Sequence, residues 1–205
     1  MRSTARNRLL VQATLGALLL GGCLGRSPTP EFYSLRATEP AATDAAAGSA
    51  GVAVGVGPVR LPRYLERPQL ARRAGESEIV YDEFRRWAGG LDAELLRVVG
   101  ANLAALLETQ RVVVYPAEAP FPLAFRVQID VERFEPGPGD EVTLNARWVV
   151  TPGGPGDALA VERTDVVQAA RSGGAADLAA AHSAAAAALS RAIADRLRTL
   201  TPSDS

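Results

Sequence analysis

The sequence has no lysine; all 22 of its basic residues are arginine. It has one cysteine, one histidine and one methionine in 205 residues, and aromatic side chains make up 5%. These shortages exclude whole classes of chemistry. Without lysine there is no GxxxxGK[ST] phosphate loop. The glycine-rich runs Gly137-Pro138-Gly139 and Gly153-Gly154-Pro155-Gly156 therefore read as turns. A lone cysteine cannot form an intramolecular disulfide. A lone histidine, His182, leaves no partner for a His/Cys metal site. A serine triad would need His182 as its base, and no GxSxG elbow accompanies it. His182 falls in an alanine run, where a helix-surface or half-buried position is expected. No basic run interleaved with aromatics suggests nucleic acid. A carboxylate pair could arise in space from the many acids, but no local feature points to one. With alanine and glycine abundant, arginine without lysine reflects a GC-rich genome rather than a function.

What is present begins at the N-terminus. Arg2, Arg6 and Arg8 precede the uncharged run Leu9 to Leu20, which ends in Leu20-Gly21-Gly22-Cys23. A basic segment, a short apolar segment and small residues form a signal peptide over 1–22. The run is shorter than the roughly 20 apolar residues a transmembrane helix needs. The cysteine directly after it resembles the lipobox of bacterial lipoproteins. That resemblance implies cleavage before Cys23, a diacylglycerol on its sulfur and an acylated amino terminus. Two or three acyl chains anchor stably where one binds marginally. Leu24, not aspartate, follows the cysteine, which points to the outer membrane, facing the periplasm. Three arginines leave with the signal, so 19 face 23 acids, a formal charge near −4.

Residues 23–31 read as a lipidated tether and 32–201 as a single α+β domain. Glu31–Leu35 is predicted as a strand and 36–50 as a low-complexity loop. Val52, Val54 and Val56 alternate with small residues, predicting a strand that something approaches closely. Residues 60–73 hold two prolines and five arginines and read as an extended crossover. Glu78–Ala88 and Arg111–Pro116 read as strands. Alternation along 125–132 and 142–148, with Pro136–Asp140 between them, predicts an antiparallel hairpin, and 158–169 a third strand of the same meander. Leu91, Leu95, Val98, Asn102 and Leu106 share one helical face, with Asp92 in the first turn and Glu94 and Arg97 spaced to pair. A last helix starts at Asp177, and its alanine-rich half allows close approach to a sheet. The expected fold is a mainly antiparallel, mixed sheet with two helices packed on one face.

Two segments resemble a known family. One is Tyr64-Leu65-Glu66-Arg67-Pro68-Gln69-Leu70, with Arg72 and Arg73 just after. The other is Glu83-Phe84-Arg85-Arg86-Trp87-Ala88, followed by Leu91, Arg97-Val98-Val99 and Asn102-Leu103. Together they resemble the ABC-type transport auxiliary lipoproteins of the PqiC/YmbA type. Here Glu66 stands for the usual aspartate, Ala71 for valine, and Gly89-Gly90 for Glu-Pro, which removes the proline that would fix φ at a helix start. The resemblance implies a non-enzymatic periplasmic lipoprotein without cofactor or metal. Its partner would be an MCE-domain membrane protein of an intermembrane lipid transport system. A homo-oligomer is left open.

Two roles are open to the first segment. It is a proline-fixed crossover whose Tyr64, Leu65 and Leu70 fill the core and whose arginines meet carboxylates. Alternatively, Tyr64, Leu65, Arg67, Pro68, Gln69, Arg72, Arg86 and Trp87 form a docking strip for the partner or for a second copy, as arginine suits interfaces. Trp87 reads first as a core residue, with Arg86 stacked on an aromatic. A reading from another class is an outer-membrane lipoprotein that regulates a periplasmic cell-wall synthase. Replacing Cys23 with alanine is expected to abolish acylation and membrane retention while leaving the domain folded. Mass spectrometry and membrane fractionation check both; a Cys23→Ala protein that stays in the membrane pellet contradicts the anchor.

Overall fold

Strand and helix periods compete along this chain, and the apolar spacing decides between them. A computed structural model describes residues 28–39 and 51–201; the expected signal peptide, Cys23 and most of the segment 36–50 read as a loop lie outside them. The strands are β1 (Glu31–Tyr33), β2 (Val54–Arg60), β3 (Gln69–Arg73), β4 (Ile79–Trp87), β5 (Val112–Val114), β6 (Phe125–Pro136), β7 (Glu141–Pro152) and β8 (Ala160–Ala169). Two helices, α1 (Leu91–Leu106) and α2 (Ala175–Leu200), complete the fold.

Five strands form one mixed sheet in the order β5-β2-β6-β7-β8. β2 runs parallel to β5 and β6, whereas β6, β7 and β8 form the expected antiparallel meander. Val127, Ile129, Val131, Leu144, Ala146 and Trp148 are buried, and Arg126, Glu132 and Arg147 between them are exposed. Both helices cover the apolar side, α1 over β2 and β5 and α2 over β6, β7 and β8, and they pack against each other. The α+β reading therefore holds.

A second sheet, β1-β4-β3, was not foreseen. Gln69–Arg73 sits inside the segment read as a crossover, yet it pairs antiparallel with β4 from Arg72↔Val80 to Leu70↔Asp82. Arginines at positions 72 and 73 hid its alternation. The crossover is not extended throughout either: one turn of 3-10 helix, Arg63–Leu65, follows Pro62, and the amides after Pro68 are free to pair.

Small residues set the closeness of the layers. A Cβ added at Gly100 of α1 would lie 2.6 Å from the Val114 Cγ2 of β5. Gly57 has φ +112°, and a Cβ there would meet Tyr115 and Leu96. Ala185, Ala186 and Ala187 are buried along α2, as the small-residue face predicted. Gly90 caps α1 in an extended conformation without a side-chain bond, so the first turn depends on Asp92 and Glu94. Glu94 and Arg97 pair at 2.8 Å and also grip the chain after β1. The Leu35 amide donates to Glu94 Oε2 (3.0 Å), and Arg97 donates to the Leu35 carbonyl (2.6 Å). Between the helices, buried Asn102 donates to Ser190 Oγ at 3.3 Å.

Leu95 is fully buried where α1 meets the sheet. Leu95→Ala is expected to cost about 2–5 kcal/mol. Equilibrium urea unfolding measures this, and a loss well under 1 kcal/mol would show that the helix does not seal the core there.

Candidate functional site

The Tyr64 segment is assembled around a single buried carboxylate. Pro62 opens one turn of 3-10 helix, Arg63–Leu65, closed by the Leu65 amide on the Pro62 carbonyl at 2.8 Å. The turn directs Tyr64 inward, and its hydroxyl donates to Glu135 Oε2 at 2.8 Å. Glu135 is fully buried near the end of β6. Its Oε1 accepts from Arg73 Nε (2.8 Å) and Arg133 Nε (3.1 Å), and its Oε2 also accepts from the Phe134 amide (3.0 Å). Burial alone would raise the carboxyl pKa, but the bonds from Arg73, Tyr64 and Arg133 outweigh it and hold the group below its ordinary value. Burial and the bond to Glu135 push the Tyr64 hydroxyl up to about 12.

Other members of the segment are also engaged. Leu65 and Leu70 are in the core. Two N–H groups of Arg72 converge on Asp140 Oδ1, each at 2.9 Å, and a third contact reaches the Gly137 carbonyl at 3.4 Å. Arg72 thus fastens β3 to the β6–β7 turn. The Pro68 carbonyl accepts from the Trp87 amide at 2.7 Å, joining the two family-like motifs directly. Trp87 is buried, with its ring 5.1 Å from that of His182.

Two expectations need correction. Arg86 does not stack on an aromatic; its Nε donates to the Glu83 carbonyl at 3.1 Å. Within the two family-like segments the stacked arginine is Arg67, 4.8 Å above the Tyr81 ring, because the turn ending at Glu66 carries it over β4. His182 is neither on the helix surface nor half-buried, being 2% exposed. Trp87 and Phe134 close over it, and its Nδ1 donates to the Leu178 carbonyl at 2.7 Å. Alanine neighbours made the helix look solvent-facing, whereas they let β6 approach it.

The predicted strip therefore divides. Tyr64, Leu65, Arg72 and Trp87 hold the fold. Arg67 and Pro68 are exposed, Gln69 and Arg86 are half-buried, and neither Arg67 nor Arg86 forms an ion pair among the described residues. Glu135, the centre of the network, was missed. The one signal was the break in alternation after Val131, where β6 shifts register against β7 and turns Glu135 inward. Among the described residues no group of three or more His, Cys, Asp or Glu side chains could hold a metal ion, and no helix is long and apolar enough to cross a membrane.

Burial lowers the His182 pKa from 6.5 to about 4, against the favourable effect of its carbonyl contacts. The unfolded chain takes up the proton first as pH falls. Stability is thus full above about pH 6.5 and declines toward pH 4 by about 3 kcal/mol. Glu135, held low, adds a further loss at lower pH. Urea midpoints measured from pH 8 to pH 4 should show this slope, and His182→Gln should flatten it between 6.5 and 4. An unchanged slope in that variant would remove His182 as its cause.

Comparison with known proteins places this architecture. A crystal structure of an uncharacterized protein superposes with a TM-score of 0.68 at 18% identity, covering 83% of this chain and 99% of that one. A protein of Xanthomonas campestris superposes with a TM-score of 0.63 at 17% identity, covering 84% and 100%. At these identities the likeness concerns the fold. No curated protein matches the sequence. The model of the ABC-type transport auxiliary lipoprotein component matches residues 33–194, a span that takes in both motifs, the Glu135 network and the five-stranded sheet. The chain belongs to the family of ABC-type transport auxiliary lipoprotein components.

Proposed function

We propose that the protein is a non-enzymatic accessory lipoprotein of an MCE-type, Pqi-like intermembrane lipid transport system. It is exported, cut before Cys23, acylated there and held at the outer membrane facing the periplasm. The residue 23–31 tether carries the 32–201 domain, which docks the MCE-domain partner. The observation that carries this reading is the family match over residues 33–194. Acylation supplies a fixed position, and the domain supplies a rigid surface. Arg67, Pro68, Gln69 and Arg86 form the part of the motif left at the surface. The buried part holds them in place: Tyr64 and Arg73 bind Glu135 on either side of this stretch, so the strip is ordered before a partner arrives. Preordering lowers the entropy lost on binding, and an exposed guanidinium can meet a carboxylate in two parallel bonds.

The wild-type protein is expected to co-purify with an MCE-domain protein from gently solubilised envelopes. Arg67→Glu should weaken capture by an order of magnitude or more, as a charge reversal at a central arginine costs roughly 2 kcal/mol. The melting temperature should stay near that of the wild type. Unchanged capture with both Arg67→Glu and Arg86→Glu would sink the docking strip and leave the family membership standing. Capture of a cell-wall synthase in place of an MCE protein would replace the transport role with regulation of that enzyme.

A further inference from the structure

We infer that the face of the three-stranded sheet carrying Val80 and Phe84, opposite the one that presents Gln69 and Arg86, lies on the membrane, with Val80 and Phe84 in contact with the lipid surface. The inference rests on the acylation of Cys23 and goes beyond it, since an anchor alone does not orient a domain.

Three observations support it. First, this face exposes large apolar side chains: Val80 is 46% exposed and Phe84 42%. Second, Val80 and Phe84 border a groove of about 430 Å³ lined by Leu70, Pro136, Ala175 and Leu178 together with the charged Arg72, Asp82, Glu83 and Arg85. Burying such a face takes apolar area out of water. Third, the covalent path fixes which apolar face the lipid can reach. Only seven residues, eight Cα–Cα steps, separate Cys23 from Glu31, the first residue of β1. Fully extended they span at most about 29 Å, and as a flexible coil about 16 Å. A domain of this size is about 40 Å across. β1 pairs with β4 at Glu31↔Arg85 and Phe32↔Arg86, so the tether enters within two register positions of Phe84. Other exposed apolar residues lie at the edges of the five-stranded sheet, Leu159, Val161 and Val167 on or beside β8 and Tyr115 just after β5. They have no such covalent link to the bilayer. Aromatic side chains settle at the boundary between headgroups and acyl chains, as they do on interfacial helices.

The test uses the full chain, expressed with lipoprotein processing and reconstituted in phosphatidylethanolamine–phosphatidylglycerol vesicles with or without brominated acyl chains. Single variants Phe84→Trp and Val80→Trp on the proposed face are compared with Val161→Trp and Val167→Trp on β8. The native Trp87 and Trp148 are buried, and the wild type gives their background. Loss of emission in brominated vesicles for Phe84→Trp and Val80→Trp, with none for the β8 variants, is the expected result. Quenching on β8, equal quenching at all four positions, or none at any overturns the inference while leaving the anchor intact. A mature protein whose mass shows no acyl chains overturns the anchor and this inference with it.

Discussion

The Glu135 carboxylate is the constraint on which the functional half of the molecule depends. It joins β6 of the large sheet to β3 of the small one through Arg73, and to the 3-10 turn through Tyr64. A buried charge is tolerated only with its partners in place, so removing one partner costs far more than the bond itself. The two sheets, the turn between the prolines and the exposed strip are therefore parts of one arrangement. Arg72 on Asp140 adds a second attachment to the same hairpin, and the Trp87 amide on the Pro68 carbonyl ties β4 to the start of β3.

Around that centre the packing is unusually free of bulk. The small side chains of α2 and Gly100 of α1 bring backbone close to backbone, and His182 occupies a space between Trp87 and Phe134 that alanine neighbours leave open. An imidazole is large enough to fill such a gap and carries one hydrogen bond with it. It stays neutral because its surroundings cannot solvate a charge.

The meander and both helices were legible because their apolar residues keep strict periods of 2 and 3.6 over long stretches. The small sheet was not, because β1 is three residues long and β3 carries arginines where apolar residues would have marked a face. The strip was legible as a motif but not as a division of labour. A sequence cannot distinguish Arg72, which binds Asp140, from Arg67, which lies over Tyr81 at the surface. Glu135 was illegible for a related reason: burial of an acid depends on donors from distant segments, about 60 to 70 residues away for Tyr64 and Arg73, and no local pattern records them.

The short first strand has a mechanical consequence for the anchoring proposed above. β1 lies parallel to β4, and the chain beyond it reaches Leu35, whose amide and carbonyl are gripped by Glu94 and Arg97 of α1. Under that proposal, tension on the chain enters the domain at Glu31, the first residue of β1, and loads its ladder with β4. What the strand does not resist passes into α1 and, through the contacts of that helix, into the five-stranded sheet. Force applied at one end is thus spread over both layers before any single contact has to yield.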